Sequence, residues 1–321
     1  MSSIPNSRNF CGGGFPGWLE VYLTDVCNGK CAWCVDKNGW HPKYHATWQD
    51  IARAAIGSGK QNIILLGGEP TLYPNLREVI TSLHAAGKRP WLTTNGSRLS
   101  KDYVEHHLKG LYGINISVHH YDLKKNQEIT GLLLDPLVLW EALSVLREWG
   151  CAVRFNCNCI RGMIDSREKI RRYIRFARKV GADKIRFAEL KDDEADFVDL
   201  AFLLNHKYGL NDNPFSEGCN SNAVIDGMPV NFRQMCGLLT GCRPCPVDPQ
   251  QEIKIVLYYN GKFYKGWQMA KKKNKKDESL SDILKAMSQG KISQRKALNA
   301  IKRLAPGPIR YADGGGGGCA Y

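Results

Sequence analysis

The chain has 321 residues, of which 43% are hydrophobic, 24% are charged and 12 are cysteine, with a formal net charge of +14. That length and apolar content support a full buried core and exclude a wholly disordered chain, and no run of about 18 uncharged apolar residues is present to span a membrane. The first ten residues lack a basic patch followed by an apolar stretch, so a cytoplasmic protein is expected, in which grouped cysteines are read as ligands rather than disulfides.

From residue 19 onward, short β-prone runs alternate with segments of helical period. Strands are expected at 19–24, 62–66, 90–94, 114–118, 152–160 and 184–189. Between them, Trp48, Ile51, Ala52 and Ala55 recur at helical spacing behind a capping Thr47 and Asp50, and Leu76, Val79, Ile80 and Leu83 do the same. Six βα repeats are too few for a closed eight-stranded barrel and predict an α/β fold with an open curved sheet or partial barrel. Chemistry should gather at the C-terminal ends of its strands.

After residue 192 the alternation is expected to stop. Residues 205–249 are rich in Asn, Gly, Pro and Cys and promise little core of their own. A hairpin pairing 252–258 with 262–266 should turn at Asn260-Gly261, followed by two short helices near 281–288 and 293–304 and a flexible tail containing Gly314 to Gly318. Residues 254–310 hold 15 Lys and Arg against 3 Asp and Glu, so the preceding part is close to neutral. Lys271, Lys272, Lys273, Lys275 and Lys276 form either a solvated loop or a surface for phosphates.

Just beyond the first strand lies a C-x3-C-x2-C group, Cys27, Cys31 and Cys34. Three thiolates at that spacing can hold three irons of a [4Fe–4S] cluster and leave the fourth open; a zinc site is the alternative, although no fourth ligand follows nearby. Gly67-Gly68-Glu69-Pro70 ends the second strand, where glycines permit close backbone approach and a carboxylate and carbonyls offer acceptors. Thr94-Asn95-Gly96 ends the third strand and reads either as a polar contact or as an ordinary turn. Cys219, Cys236, Cys242 and Cys245 form a second group, suited to a second cluster or to zinc. Cys11, Cys151, Cys157, Cys159 and Cys319 read as buried or free thiols.

The stretch from Leu23 to Cys34 resembles the signature of radical S-adenosylmethionine (radical SAM) enzymes, particularly the branch of the molybdenum-cofactor GTP cyclase and the SPASM/twitch maturases. The resemblance spans about residues 19–190. It implies a radical SAM core at 19–204 after an extension at 1–18, a SPASM/twitch-like auxiliary region at 205–310 and a tail at 311–321. It also implies reductive cleavage of S-adenosylmethionine to a 5′-deoxyadenosyl radical that abstracts hydrogen from a substrate. Trp33 matches the position that commonly contacts adenine. Gly67, Gly68, Glu69 and Pro70 match the family's GGEP turn, with Glu69 and the carbonyls facing the methionine ammonium, and Thr94, Asn95, Ser117 and Asn156 match cosubstrate-binding positions. Arg186 and Glu189 border the site or pair on the solvent side. Where related hairpins end in a ligating cysteine, this chain has Gly266-Trp267, so ligands of a second cluster would come from the preceding loop.

The basic segment favours a nucleotide-like or nucleic-acid-borne substrate, with a ribosomal peptide as the runner-up and a non-enzymatic zinc or nucleic-acid-binding module as the third reading. A flavodoxin or ferredoxin is expected as reductant, and no membrane partner.

Overall fold

The computed structural model describes residues 17–34, 36, 39–190, 196–204, 220–234, 255–268 and 288–289. Those up to Gln268 belong to one compact unit. Strands β1 (Trp18–Tyr22), β2 (Asn62–Leu66), β3 (Arg89–Thr94), β4 (Gly113–Ser117), β5 (Ala152–Asn158) and β6 (Lys184–Ala188) run parallel in that order. Helices α1 (Trp48–Gly57), α2 (Leu76–Ala85), α3 (Lys101–His107), α4 (Leu123–Thr130), α5 (Pro136–Glu148) and α6 (Arg167–Val180) connect them. The result is the expected α/β partial barrel.

Local signals explain the helix boundaries. Thr47 caps α1 by accepting the Asp50 N–H, Ser166 caps α6 by accepting from Lys169, and Gly181, at φ 105°, ends α6 in the left-handed region. Along α6, Ile170, Tyr173, Ile174, Ala177 and Val180 form the buried stripe. They share one core with Leu19, Val21, Ile63, Leu65, Leu92, Ile114, Ile116, Val153, Phe155, Ile185 and Phe187, the alternate strand residues that point toward the helices.

The sheet is wider than the six repeats. The hairpin turning at Asn260-Gly261 is present as β9 (Ile255–Tyr258) and β10 (Phe263–Lys265), and β9 lies parallel against β1. On the other side, β7 (Asn220–Ile225) and β8 (Met228–Arg233) form a hairpin whose second strand runs parallel to β6. Here the expectation of a core-poor loop across 205–249 is corrected. Residues 220–233 extend the main sheet, so the expected boundary at 204 does not separate them from the core. Asp226 and Gly227, both at positive φ, make the two-residue turn that allows this. The alternation also continues one step past residue 192, as α7 (Leu200–Leu204). The expected helices near 281–288 and 293–304 lie almost wholly outside the described residues, as do the lysine run and the glycine tail. Among the described residues no helix is long and apolar enough to cross a membrane.

Candidate functional site

The first three strands end together, and the loops that leave them are bonded into one unit. Gly68 N–H donates to Thr24 O at 2.6 Å and Glu69 N–H to Val26 O at 2.8 Å, which docks the GGEP turn against the start of the three-cysteine loop. A Cβ on Gly67 would meet Thr24 O at 2.4 Å, and one on Gly68 would meet Val26 O at 2.4 Å, so glycine is required at both positions. Pro70 then opens a short 3-10 turn, Pro70–Leu72.

Glu69 is 1% exposed, and its carboxylate is fully engaged. One oxygen accepts from Thr71 N (3.0 Å), Thr71 Oγ1 (2.7 Å) and Thr94 Oγ1 (2.6 Å), and the other from Asn95 N (2.7 Å). Four protein donors on one carboxylate make it a structural anchor. The Glu69 side chain thus binds the GGEP turn to the Thr94-Asn95-Gly96 turn, with three donors on one oxygen and one on the other. Thr94, 2% exposed, is likewise committed, since its oxygen also accepts Gly96 N–H. Asn95 reaches the cysteine loop through Asn28 Oδ1 at 2.8 Å, while Asn28 donates to Ser97.

The cysteine loop is held at a second point by Lys30 N–H to Thr130 O, at 2.7 Å. Cys27 is exposed and Cys31 and Cys34 are half-buried. Although Cys27 is exposed as a residue, desolvation of its thiol raises its pKa, with Glu69, Cys34 and Asp36 adding to the rise. Among the described residues no three His, Cys, Asp or Glu side chains converge on a metal-sized point. The donor set nevertheless fits iron: three soft thiols on one loop, next to a turn pared down to glycine. Cys219, Cys236, Cys242 and Cys245 lie outside the described residues.

Ser117, the last residue of β4, and Asn156 in β5 are register partners, and the row continues through Arg186 to Asn231. These residues occupy the sheet face opposite the helices. Asn156 Oδ1, Arg154 Nε, Asn115 Oδ1 and Trp91 Nε1 are enclosed there without hydrogen-bond partners. Buried polar atoms in native folds are nearly always satisfied, so such a group on one face of three neighbouring strands makes that face a candidate ligand site.

The same face is cationic. Burial, reinforced by Arg233, lowers the Arg154 pKa to about 10, and Arg186 is lowered by burial and by both other arginines, partly offset by Glu20. Arg186 donates Nε–H to Asn231 Oδ1 at 3.0 Å, and Glu189, 6% exposed, accepts from Leu200 N. Glu189 is thus buried rather than on the solvent side. Period-two reading from Asn156 and Ser117 would have found Arg154 and Asn115; Arg233 required knowledge of the β7–β8 hairpin.

Trp33, half-buried, stands edge to face with His119, at 5.3 Å between ring centroids and 86°. His119 had no sequence motif to single it out.

The chain is similar to several known proteins. The profile of the Radical SAM superfamily matches residues 21–177. A GTP 3′,8-cyclase of Actinobacillus pleuropneumoniae is 32% identical over 123 residues, 36% of this chain and 36% of the relative. The chain thus spans little more than a third of the length of that curated relative. Among solved structures, SuiB of Streptococcus suis bound to precursor peptide SuiA has a TM-score of 0.46 at 23% identity, covering 55% of this chain and 39% of SuiB. SuiB bound to S-adenosylmethionine has a TM-score of 0.45 at 23% identity, covering 55% and 40%.

Proposed function

Residues 21–177 of this chain belong to the radical SAM superfamily, and from that premise we propose that it is an enzyme acting on a nucleotide-like substrate, with Cys27, Cys31 and Cys34 as cluster ligands. When bound, the [4Fe–4S] cluster supplies the electron that cleaves S-adenosylmethionine to a 5′-deoxyadenosyl radical, which abstracts hydrogen from the substrate. The observation that carries this reading is the bonded unit of cysteine loop, GGEP turn and Thr94-Asn95-Gly96 turn at the ends of β1, β2 and β3. In it, the Gly67 and Gly68 backbone leaves room for the methionine group, Trp33 meets the adenine, and Ser117 and Asn156 offer hydroxyl and amide to the nucleoside. Glu69, Thr94 and Asn95 hold the turns in place.

The substrate reading rests on the arginines. Arg233 lowers the proton affinity of Arg154, and Arg154 and Arg233 lower that of Arg186, on the face that carries the unpartnered atoms, an arrangement that suits the negative charge of phosphates. A basic segment at 254–310 adds to the attraction for polyanions. A flavodoxin or ferredoxin is proposed as electron donor. Cys219, Cys236, Cys242 and Cys245 are proposed to hold a second cluster, for structure or electron transfer.

Anaerobically reconstituted protein with dithionite should release 5′-deoxyadenosine and methionine, and joint replacement of Cys27, Cys31 and Cys34 by Ala should abolish the release. Continued cleavage by that variant would end the central claim. Wild type should carry about eight irons, on the count of two four-iron clusters, and the triple variant about half. Nucleotide triphosphates should bind in a salt-sensitive manner; binding of peptides alone would transfer the reading to peptide maturation.

A further inference from the structure

His119 is 6% exposed and lies two residues beyond Ser117, the register partner of Asn156. Its position is set by four contacts on three segments. The backbone N–H of His119 donates to Asn126 Oδ1 at 2.7 Å, and its carbonyl accepts from Cys157 Sγ at 3.6 Å. Its Nδ1 accepts the backbone N–H of Asn158 at 3.1 Å, and its ring meets Trp33 edge to face. A backbone N–H can only donate, so Nδ1 carries no proton and the ring proton is on Nε2. The hydrogen bonds of His119 among the described residues run through its backbone and Nδ1, none through Nε2.

We propose that His119 is a recognition residue for the adenosyl part of S-adenosylmethionine, holding Trp33 in place and donating its Nε2–H to an acceptor on the nucleoside. The proposal rests on the S-adenosylmethionine reading of the site. Neutrality matters because the cosubstrate is a sulfonium cation, which an imidazolium would repel. Burial holds the His119 pKa down at about 4, so the ring stays neutral at ordinary pH. An aromatic that packs on adenine needs a fixed plane, and the His119 ring, tied to β5 through Asn158, supplies the edge that fixes it.

Two substitutions separate the roles of the two ring nitrogens. In His119→Asn the side-chain oxygen replaces Nδ1 and keeps the Asn158 bond, but no donor reaches the Nε2 position. In His119→Gln the longer amide places an N–H near Nε2 and gives up the Asn158 bond. Isotherms of the cluster-loaded protein with S-adenosylmethionine and with S-adenosylhomocysteine, which shares the adenosyl group but lacks the sulfonium charge, are the readout, with quenching of Trp33 emission as a second. His119→Asn should weaken both ligands by about fivefold to tenfold, the effect of one neutral hydrogen bond. His119→Gln should stay within about twofold of wild type by the same scale. Iron content and melting of each variant report folding separately. Unchanged affinity in His119→Asn overturns the proposal, as does an equal loss in both variants that follows their melting temperatures. Failure of wild type to bind either ligand would instead overturn the reading of the whole site.

Discussion

Along β4, β5 and β6 the side chains turned toward the helices, Ile114, Ile116, Val153, Phe155, Ile185 and Phe187, are apolar and sealed. The residues between them on the same strands, Asn115, Ser117, Arg154, Asn156 and Arg186, are polar or charged, and several have enclosed atoms without partners. Both sets share one backbone and one hydrogen-bond ladder. The first set lowers the free energy of the fold by removing apolar surface from water, whereas the second set raises it by burying groups that water would have satisfied. A fold retains such a face where a ligand completes it, so stability and binding in this molecule are divided between the two sides of one sheet.

The largest effect that tests this division is expected from Phe155→Ala. Phe155 is fully buried, and its truncation should cost about 3–5 kcal/mol in urea unfolding of the apoprotein. A cost below about 1 kcal/mol would mean that the helix-facing core is not the source of stability.

Next comes acid sensitivity from His119, whose folded pKa of about 4 lies below the ordinary 6.5. The unfolded state therefore binds the proton first, and stability falls as pH drops through the unfolded value toward the folded one. Between pH 7 and pH 5 this group should remove roughly 2 kcal/mol, and His119→Asn should lose less stability than wild type over that interval. Parallel pH profiles for the two proteins would remove His119 from the account.

Glu69→Gln should cost about 1–3 kcal/mol, because the amide must turn an N–H toward one of the four donors now facing the carboxylate. S-adenosylmethionine affinity should fall with it, since two turns lose their common anchor. Undisturbed melting would show that the turns hold without Glu69.

The smallest expected change in stability is from Arg154→Leu. Removing an enclosed and partly unpartnered guanidinium for an apolar side chain should leave unfolding within about 0.5 kcal/mol of wild type or raise it slightly, while nucleotide affinity drops. If Arg154→Leu costs as much as Phe155→Ala, the two faces do not differ and the contrast fails.

How much of this was legible in the sequence depends on the range of the signal. Hydrophobic period and capping residues placed all six parallel strands to within two residues and the start of α1 at Thr47. Asn260-Gly261 announced the β9–β10 hairpin. Asp226-Gly227 carries the same kind of signal, yet Asn220, Asn222, Pro229 and Asn231 are poor strand formers, so the local pattern of β7–β8 is that of a loop. Pairing of β8 with β6 overrides that propensity. Among site residues, the cysteines and glycines stood out by spacing. Arg154 was hidden in plain view beside Asn156, and His119 showed only when its ring was found against Trp33.

By itself, the sequence determined the βα order, the helix caps, the loop that presents three thiols and the glycines that let a turn lie against it, because each depends on residues a few positions apart. Only the tertiary structure decided what the buried polar groups do. Glu69 finds Thr94 at a separation of 25 residues, Arg186 finds Asn231 at 45, and Tyr259 reaches Asp25 at 234. A carboxylate read from sequence faces a ligand or a protein donor with equal plausibility. Which one it faces is settled by distant strand ends meeting, and no local pattern encodes that meeting.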